Sequence, residues 1–428
     1  MIKQNFNFQN ILSYFFLFIP FFLISGPFLT DLSISLLALS SFIILRDKKF
    51  LYNFYSIFLI IFCIIIILSS ILSENILSSL KSSLFYFRFG AFSLVVWFLL
   101  ETYKKILKKL YLFLLFAFVA IFFDSFFQYF TGFNIFNYEI VEKNRVSSFF
   151  GDELIMGSYL MRLFPLLVAL FFFNFNNKHT KLYLINCLFF LSFLIVSVYL
   201  SGERTSFILL NFSFLLFIIF LNGFKIAKYS LTILVILVSF SLLTLETPFK
   251  KRLIDQTIEQ ILPNKNTKIY YIFSKQYNEH YISSWKMFND NKILGVGPKN
   301  FRNECKKKEY NFSSQTCSTH PHNTPLQLLS ETGIFSFIVY FFLNFFLWFL
   351  LIKNLIYKVI YKRQTLDNFQ ISLIISIIIS IFPFAPSGSF FNNWVSSIYY
   401  FPVGLLLWSF RNEGKIYINT TKIRKKRS

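Results

Sequence analysis

The sequence predicts an all-α, polytopic integral membrane protein. Its 428 residues are 55% apolar and only 14% charged, which lies well outside the composition of a soluble globular domain. Runs such as FLIIFCIIIILSSIL and LTILVILVSFSLLTL approach the roughly 20 residues that a helix needs to cross about 30 Å of hydrocarbon. They do not alternate apolar and polar residues as the strands of an outer-membrane barrel do. Helices are therefore expected, because each spanning segment must satisfy its own backbone hydrogen bonds.

Charged residues and Pro/Gly clusters divide the chain into about 12 spanning segments. The first apolar run lacks the small-residue cleavage site of a signal peptide and is followed directly by another run, so we interpret it as a retained helix. The predicted spans are 11–29, 31–45, 51–72, 83–100, 110–130, 154–174, 182–200, 205–222, 227–245, 325–351, 369–385 and 395–410.

Basic residues predict the orientation of these spans. With a cytoplasmic N-terminus, the cytoplasmic connections hold most of the Lys and Arg, whereas the short loops on the other side carry only Lys81, Lys143, Arg145 and Arg204. This is the positive-inside bias, and it predicts that both termini are cytoplasmic. The net charge of +22 then reflects topology and contact with anionic membrane lipids, so nucleic acid is not an expected partner. The cytoplasmic set is Arg46, Lys48, Lys49, Lys104, Lys105, Lys108, Lys109, Lys178, Lys181, Lys225, Lys228, Lys353, Lys358, Lys362, Arg363 and the basic C-terminal tail.

One long polar segment interrupts the spans and divides the chain into four parts. Residues 1–245 hold spans 1 to 9, residues 246–324 form a periplasmic loop domain, residues 325–410 hold spans 10 to 12, and residues 411–428 form the tail. The loop carries 13 basic and 7 acidic residues up to Glu309, a balance that suits an anionic ligand. Within it, SSWKMFNDNK predicts a short amphipathic helix around Trp285, Met287 and Phe288, which ends at the Gly295–Pro298 turn.

The four cysteines fall in two classes. Cys63 and Cys187 lie in apolar runs, whereas Cys305 and Cys317 lie in the loop, where a periplasmic location permits a disulfide. We predict a Cys305–Cys317 bridge, which would contribute about 3 kcal/mol by closing its loop. Two free thiols, or metal ligation together with His320 and His322, remain the alternatives. A zinc site normally has more closely spaced cysteines.

Charged residues inside spans are costly and often functional. Arg88, Asp124 and Arg162 are such residues, and for each an interhelical ion pair or snorkelling side chain is as good an interpretation as a functional one. Arg204 differs because its turn, SGERTS, lies at the outer membrane surface. Arg145 occupies the same level on another loop. Guanidinium groups bind phosphate oxygens bidentately, so these two arginines are suited to clamp a pyrophosphate.

A histidine at this level adds a candidate base. His322 precedes Asn323 at the start of a predicted helix, in CSTHPHNTPLQLLSETGIFSF, and Glu331 follows about two turns later. A neutral imidazole can take a proton from a hydroxyl near neutral pH. A structural histidine is the alternative. For His320 we favour a supporting role, and for Glu331 a structural one, bonding loop backbone or orienting His322.

Four stretches of the chain together resemble the O-antigen ligase family. HNTPLQLLSETG fits the family's His-x10-Gly element through His322 and Gly333, and GVGPKNF looks like its Gly-x-Gly-x-x-x-Phe run. SGERTSFILL looks like its Ser-Gly-x-Arg-Thr turn, and RVSSFFGDELIMGSYLMRLFPLL looks like its Arg-x-Ser-Gly-x-Phe segment. The resemblance covers about residues 140–340.

The resemblance implies a glycosyltransferase at the periplasmic face of the bacterial inner membrane. It implies transfer of an O-antigen or related glycan from undecaprenyl diphosphate to lipid A core or another glycan acceptor, with no metal and no cofactor. His322 would be the base, Arg204 would hold the diphosphate and Arg145 would assist. A second diphosphate-binding Arg of the family is replaced by Tyr281, which follows His280; Lys286, Lys299 and Arg302 are the candidate substitutes.

Two other functions remain open at this stage. A polymerase of the same superfamily needs the same base and clamp, so the motifs do not separate it from a ligase. A transporter or flippase of lipid-linked glycans would predict an internal repeat with charges at mid-membrane. The sequence has no clear repeat, and only Asp124 favours transport. Transfer of glycans to protein is disfavoured because no additional domain follows the last span.

Overall fold

The computed structural model describes residues 6–44, 50, 52–142, 144–175, 181–262, 271 and 273–424, without side-chain detail at 6–8, 44, 181–184 and 412–424. Several residues that indicated the orientation lie outside this description, namely Arg46, Lys48, Lys49, Lys143, Lys178 and residues 425–428 of the tail. Within it, β structure is limited to two isolated bridges, Phe133–Glu139 and Glu142–Arg145. Everything else that is regular is helical.

Fourteen main helices make up the described chain. Six helical stretches of the described residues are long and apolar enough to cross a membrane, and one of them covers both α4 and α5. The chain is therefore a polytopic helical membrane protein. A helix coincides with each of the twelve predicted spans, although the number that cross the bilayer stays a prediction. The helices are α1 Phe6–Ser25, α2 Pro27–Ile44, α3 Phe54–Ile71, α4 Ile76–Ser83, α5 Phe87–Thr102, α6 Ile106–Thr131, α7 Met156–Asn174, α8 Lys181–Leu200, α9 Arg204–Phe220, α10 Lys225–Thr244, α11 Lys275–Asp290, α12 Thr324–Ile360, α13 Asn368–Ser380 and α14 Asn393–Arg424.

The core of the bundle lies around α13. Every residue from Phe369 to Ser380 in this helix is buried, and α13 packs against α7 and α14 while α5 packs against α2 and α14. Its sequence, ISLIISIIIS, alternates branched apolar residues with serines that allow close helix approach. Asp367 and Gln370 form a capping box at its start. By contrast, α10 has no buried residue.

The helix predicted as continuous over 325–351 is broken near its start. Gly333 has φ 73° and ψ −173° inside α12, a conformation that only glycine adopts readily. The backbone N–H of Ile334 donates to the carbonyl of Lys292 at 2.9 Å, and a Cβ on Gly333 would lie 2.1 Å from the oxygen of Ile293. The break therefore lets the loop chain contact the helix backbone directly.

The polar loop has a small core of its own. Met287, Val296, Phe301, Cys305 and Tyr310 form this cluster. In the structure Cys305 and Cys317 are joined as a disulfide with their Cα atoms 5.3 Å apart. The loop helix α11 begins at Ser274, whose side chain accepts from the Tyr277 N–H.

The predicted amphipathic helix is part of α11. Met287 lies on its buried face, whereas Trp285 is 50% exposed and contacts the Phe288 ring at a tilt of 46°.

Charges within the bundle have structural partners in two of three cases. Arg88 pairs with Asp31 at 2.6 Å. Asp124 accepts from the Ser148 hydroxyl at 2.6 Å and from the Ile135 N–H at 2.9 Å, so it fixes the loop that follows α6. Transport is therefore not needed to explain this carboxylate.

Arg162 is the third buried charge. It lies over the Tyr399 ring, 5.7 Å from its centroid, and its Nε and Nη1 have no hydrogen-bond partner among the described residues.

Candidate active site

The start of α12 holds His322 in a defined position. Asn323 caps the helix by accepting from the Leu326 N–H at 3.1 Å, and its amide donates to the Pro383 carbonyl at 3.1 Å. His322 itself has φ +56°. Its carbonyl accepts from the Ser387 N–H at 2.9 Å. The segment between α13 and α14 therefore holds the chain at His322 and Asn323.

Three rings surround the His322 imidazole. The centroid distances are 4.1 Å to His320, 5.4 Å to His280 and 5.4 Å to Tyr277. Nε2 of His322 lies 3.1 Å from the Ser318 hydroxyl. His280 and Tyr277 lie one turn apart on α11, so this helix forms one wall of the site. Tyr277 carried no signal in the sequence that distinguished it from the other tyrosines.

Burial keeps these histidines neutral. Burial, together with the charges of His320 and His280, lowers the pKa of His322 to about 3. It also lowers the pKa of His320 to about 4. A neutral ring nitrogen at physiological pH is available to accept a proton.

The histidines do not converge as metal ligands. Among the residues that the structure describes, no group of three His, Cys, Asp or Glu side chains has an arrangement that could hold a metal ion. Nδ1 of His320 instead contacts the Thr319 hydroxyl at 2.9 Å, and its Nε2 contacts the Ser387 carbonyl at 3.2 Å. These contacts agree with a supporting role for His320.

Three arginines form a second part of the site, here named the arginine group: Arg145, Arg204 and Arg252. Nε of Arg204 donates to the Arg252 carbonyl at 2.9 Å, and Nε of Arg252 donates to the Gly202 carbonyl at 3.0 Å. Gly202 has φ +64°, and a Cβ there would lie 2.5 Å from the Asn144 carbonyl oxygen and 2.9 Å from Cγ of Arg145. The glycine of the SGERTS turn therefore allows the segments that carry Arg145, Arg204 and Arg252 to approach each other closely.

Arg252 was missed as a site residue. In the sequence Arg252 is one of the 13 basic residues of the loop. It lies on a π-helical turn, Lys251–Asp255, and pairs with Glu142 at 3.2 Å. An arginine just after a span, followed by the helical pattern LIDQTIEQI, was the available signal, but its proximity to Arg204 depends on tertiary structure.

Tyr277 connects the arginine group with the histidines. Burial raises the pKa of its phenol, and the charges of Arg204, Arg252 and Arg145 oppose that shift. Burial also lowers the pKa of Arg145, as does the like charge of Arg252. All three guanidinium groups thus lie near the phenol whose ring contacts His322. Tyr277 is therefore near both the predicted base and the predicted clamp.

Lys299 and Arg302 lie in different surroundings. The charged groups that influence Lys299 are Arg302, Glu331, Arg88 and Asp31, and Arg302 in turn influences His320. No contact between described residues joins either side chain to the arginine group. Their assignment to the donor stays a prediction.

The candidate substitute Lys286 is directed elsewhere. Its ammonium lies over the Phe312 ring, 4.1 Å from the centroid. This cation–π contact keeps it within the loop core.

Glu331 and Gly333 hold the loop against α12. The Glu331 carboxylate is buried and accepts from the Phe301 N–H at 3.2 Å and the Gln327 amide at 2.8 Å. The Val296 and Gly297 N–H groups donate to the carbonyls of Ser330 and Glu331 at 2.9 and 2.8 Å. The GVGPKNF and SETG motifs therefore bind each other and fix the base indirectly.

Comparison with known families agrees with this geometry. The O-antigen ligase family model matches residues 188–341. Over these residues the chain is similar to that family. The matched range contains Arg204, Arg252, α11 and His322, whereas the loop with Arg145 precedes it. The family resemblance predicted from the sequence is confirmed over this range. No curated protein matches the chain.

Proposed function

We propose that this protein transfers a glycan from undecaprenyl diphosphate to lipid A core or a related glycan acceptor. The observation that carries the proposal is Tyr277, which lies beside His322 at 5.4 Å between ring centroids and within the electrostatic influence of Arg145, Arg204 and Arg252. The imidazole of His322 and three guanidinium groups thus lie near one residue of α11. This arrangement suits a reaction in which an anionic leaving group departs while a hydroxyl is deprotonated.

The arginine group would bind the diphosphate of the donor. Arg204 and Arg252 are already held by backbone and amide oxygens, Arg204 by Gln260 at 2.6 Å and Gln256 at 3.3 Å, so their positions are set before the donor binds. Preorganised donors of this kind stabilise the charge that develops on a departing phosphate. Arg252 supplies the guanidinium that Tyr281 does not.

His322 would activate the acceptor. Its ring nitrogen takes the proton of the acceptor hydroxyl, the oxygen forms a bond to the anomeric carbon, and the bond from that carbon to the phosphate oxygen breaks. The electron pair leaves with undecaprenyl diphosphate, and the proton later passes from His322 to water. The bound diphosphate also raises the low pKa of His322, since a nearby negative charge favours the imidazolium. The base is thus strongest when the donor is present.

The reaction would occur at the periplasmic face of the inner membrane, with both termini cytoplasmic and residues 246–324 as the periplasmic loop. The positive-inside bias of the sequence supports this orientation. Donor and acceptor lipids would approach laterally through the bilayer.

A complementation experiment tests the proposal. A strain that lacks the gene receives the wild-type chain or His322→Ala, and its lipopolysaccharide is resolved on gels. Glycan-bearing core with the wild type, and free core with accumulated carrier-linked glycan with the variant, are the expected results. Core that bears one repeat unit in the deletion strain would instead identify a polymerase. Full-length lipopolysaccharide with His322→Ala, expressed at the wild-type level, would exclude His322 as the base.

A further inference from the structure

We infer that His280 is a positioning residue for His322, one that fixes the plane of its imidazole and influences its protonation during transfer. The inference rests on the proposed function, in which His322 is the base. His280 stands in the place where the chain departs from its family, immediately before Tyr281.

The geometry of the two rings is that of an offset stack. Their centroids lie 5.4 Å apart with 22° between the ring planes, within the range for favourable aromatic pairs. His320 meets His322 at 42° and Tyr277 meets it at 56°. His280 is therefore the most nearly parallel of the three neighbours, and it restricts rotation of the His322 ring about its Cβ–Cγ bond.

His280 is unusual because it is fully buried without a well-formed hydrogen bond. Its exposed fraction is 0%, and neither ring nitrogen has a hydrogen-bond partner among the described residues. Burial lowers its pKa, although the backbone of Gln315 and the charge of Glu279 oppose the shift. A buried polar group without a partner is uncommon and calls for a physical explanation. A phenylalanine would fill the same place at lower cost if packing were the only requirement.

The inferred role follows the proton through the reaction. When His322 takes the acceptor proton, the His280 ring keeps its place against the imidazole. The proton stays on His322 until water takes it, so His280 neither gains nor loses one. A charge on His280 would oppose the protonation of His322, so His280 has to stay neutral during transfer.

The groups that face His322 are few. His320 faces it from its own segment, His280 and Tyr277 face it from α11, and Arg302 acts on His320. Of these groups, the histidines acquire positive charge only as the pH falls well below neutral. Replacing His280 removes one of these like charges while leaving the others.

Two variants and one control test the inference in a transfer assay with purified protein, undecaprenyl-diphosphate-linked glycan and lipid A core. His280→Phe keeps a flat ring and removes the nitrogens, whereas His280→Ala removes the ring. Trp285→Phe on the same helix is the control, because Trp285 is half exposed and its ring contacts Phe288 instead of His322. Activity is expressed per folded molecule, and kcat/KM is measured against pH.

For His280→Ala we expect kcat to fall at least tenfold with the KM for the donor within twofold of wild type. His280→Phe should keep most of kcat and move the acidic limb of the profile to higher pH. If His280→Ala does not fold, the pH profile of His280→Phe tests the inference by itself. A wild-type profile for His280→Phe would overturn the inference, as would equal losses in both variants with an unmoved acidic limb. An active His322→Ala would overturn the proposed function itself, so the two failures are distinguishable.

Discussion

The carboxylate of Glu203 caps α7 by accepting the N–H of Gly157 at 2.6 Å. It also accepts from the Ser158 N–H at 3.1 Å and the Ser206 hydroxyl at 2.9 Å. The residue next to Arg204 thus joins the SGERTS turn to a central helix of the bundle, and burial raises its pKa. An acidic group at a helix N-terminus satisfies free N–H groups and complements the helix dipole.

Glu203→Ala should therefore destabilise the protein by about 1–3 kcal/mol, because it leaves the first N–H groups of α7 without their acceptor. Thermal unfolding in detergent measures the effect. Glu246→Gln is the control, since its side chain is 83% exposed. Equal melting temperatures for Glu203→Ala and the control would show that the cap contributes nothing.

Gly333→Ala should prevent correct docking of the loop. The new Cβ would lie 2.1 Å from the Ile293 oxygen, in addition to the ~1–2 kcal/mol cost of a left-handed conformation for a non-glycine residue. Gly223→Ala is a matched control because Gly223 also has positive φ, +76°, but nothing lies within 4 Å of its Cβ position. Folded yield by size exclusion, and transfer activity, should fall for Gly333→Ala only. Similar losses in both variants would point to backbone strain alone.

Arg252→Gln should reduce transfer on the order of 100-fold, the range for removing one group that stabilises developing charge. The loss should appear in kcat/KM for the lipid-linked donor and leave thermal stability nearly unchanged. Lys251→Gln, an exposed neighbour, should retain activity. Wild-type kinetics in Arg252→Gln would remove Arg252 from the clamp and leave Arg204 and Arg145.

Acid should destabilise the fold through the two histidines of the CSTHPHN segment. Their folded-state pKa values are about 3 for His322 and about 4 for His320, whereas unfolded histidine titrates near 6.5. Between these values the unfolded chain binds protons that the folded protein does not. Stability should thus be complete above about pH 6.5 and decrease as the pH falls toward about 3. The melting temperature should depend less steeply on pH across this range in the double variant His320→Gln/His322→Gln than in the wild type. An unchanged pH dependence would contradict the low folded-state pKa values of the two histidines.

Reduction should loosen the loop. The Cys305–Cys317 disulfide lies against the cluster of Met287 and Phe301, and breaking it should cost about 3 kcal/mol of loop stability. Maleimide labelling with and without dithiothreitol, followed by limited proteolysis, measures this. Cys63→Ser provides a matched control because Cys63 is a free thiol in α3. Labelling of Cys305 without a reductant would contradict the bridge.

The helical membrane fold was predictable because apolar runs and charge breaks are local features of the chain. The break at Gly333 was not, since it depends on the loop carbonyls at residues 292 and 293 approaching the helix. A continuous helix is the natural prediction for an apolar segment whose only irregular residue is one glycine.

The residues of the candidate site also fall into those that the sequence predicted and those that it did not. His322 and Arg204 could be proposed from the motifs that carry them. Arg252, Tyr277 and His280 could not, because each gains its meaning from a neighbour more than 40 positions away in sequence: Arg252 from Arg204, and the two α11 residues from His322. Charge and aromaticity alone do not reveal such pairs in a chain with 42 basic and 64 Phe residues.

The contact between the His322 segment and the chain after α13 has a consequence for biogenesis. The bonds from Ser387 to His322, from Asn323 to Pro383 and from Gln327 to Ser389 join residues separated by about 60 positions. None of them can form while residues 383–389 are still inside the ribosome or the translocon. A nascent chain whose loop has already emerged is consequently unable to hold the imidazole in place, and any product truncated before α14 should be inert.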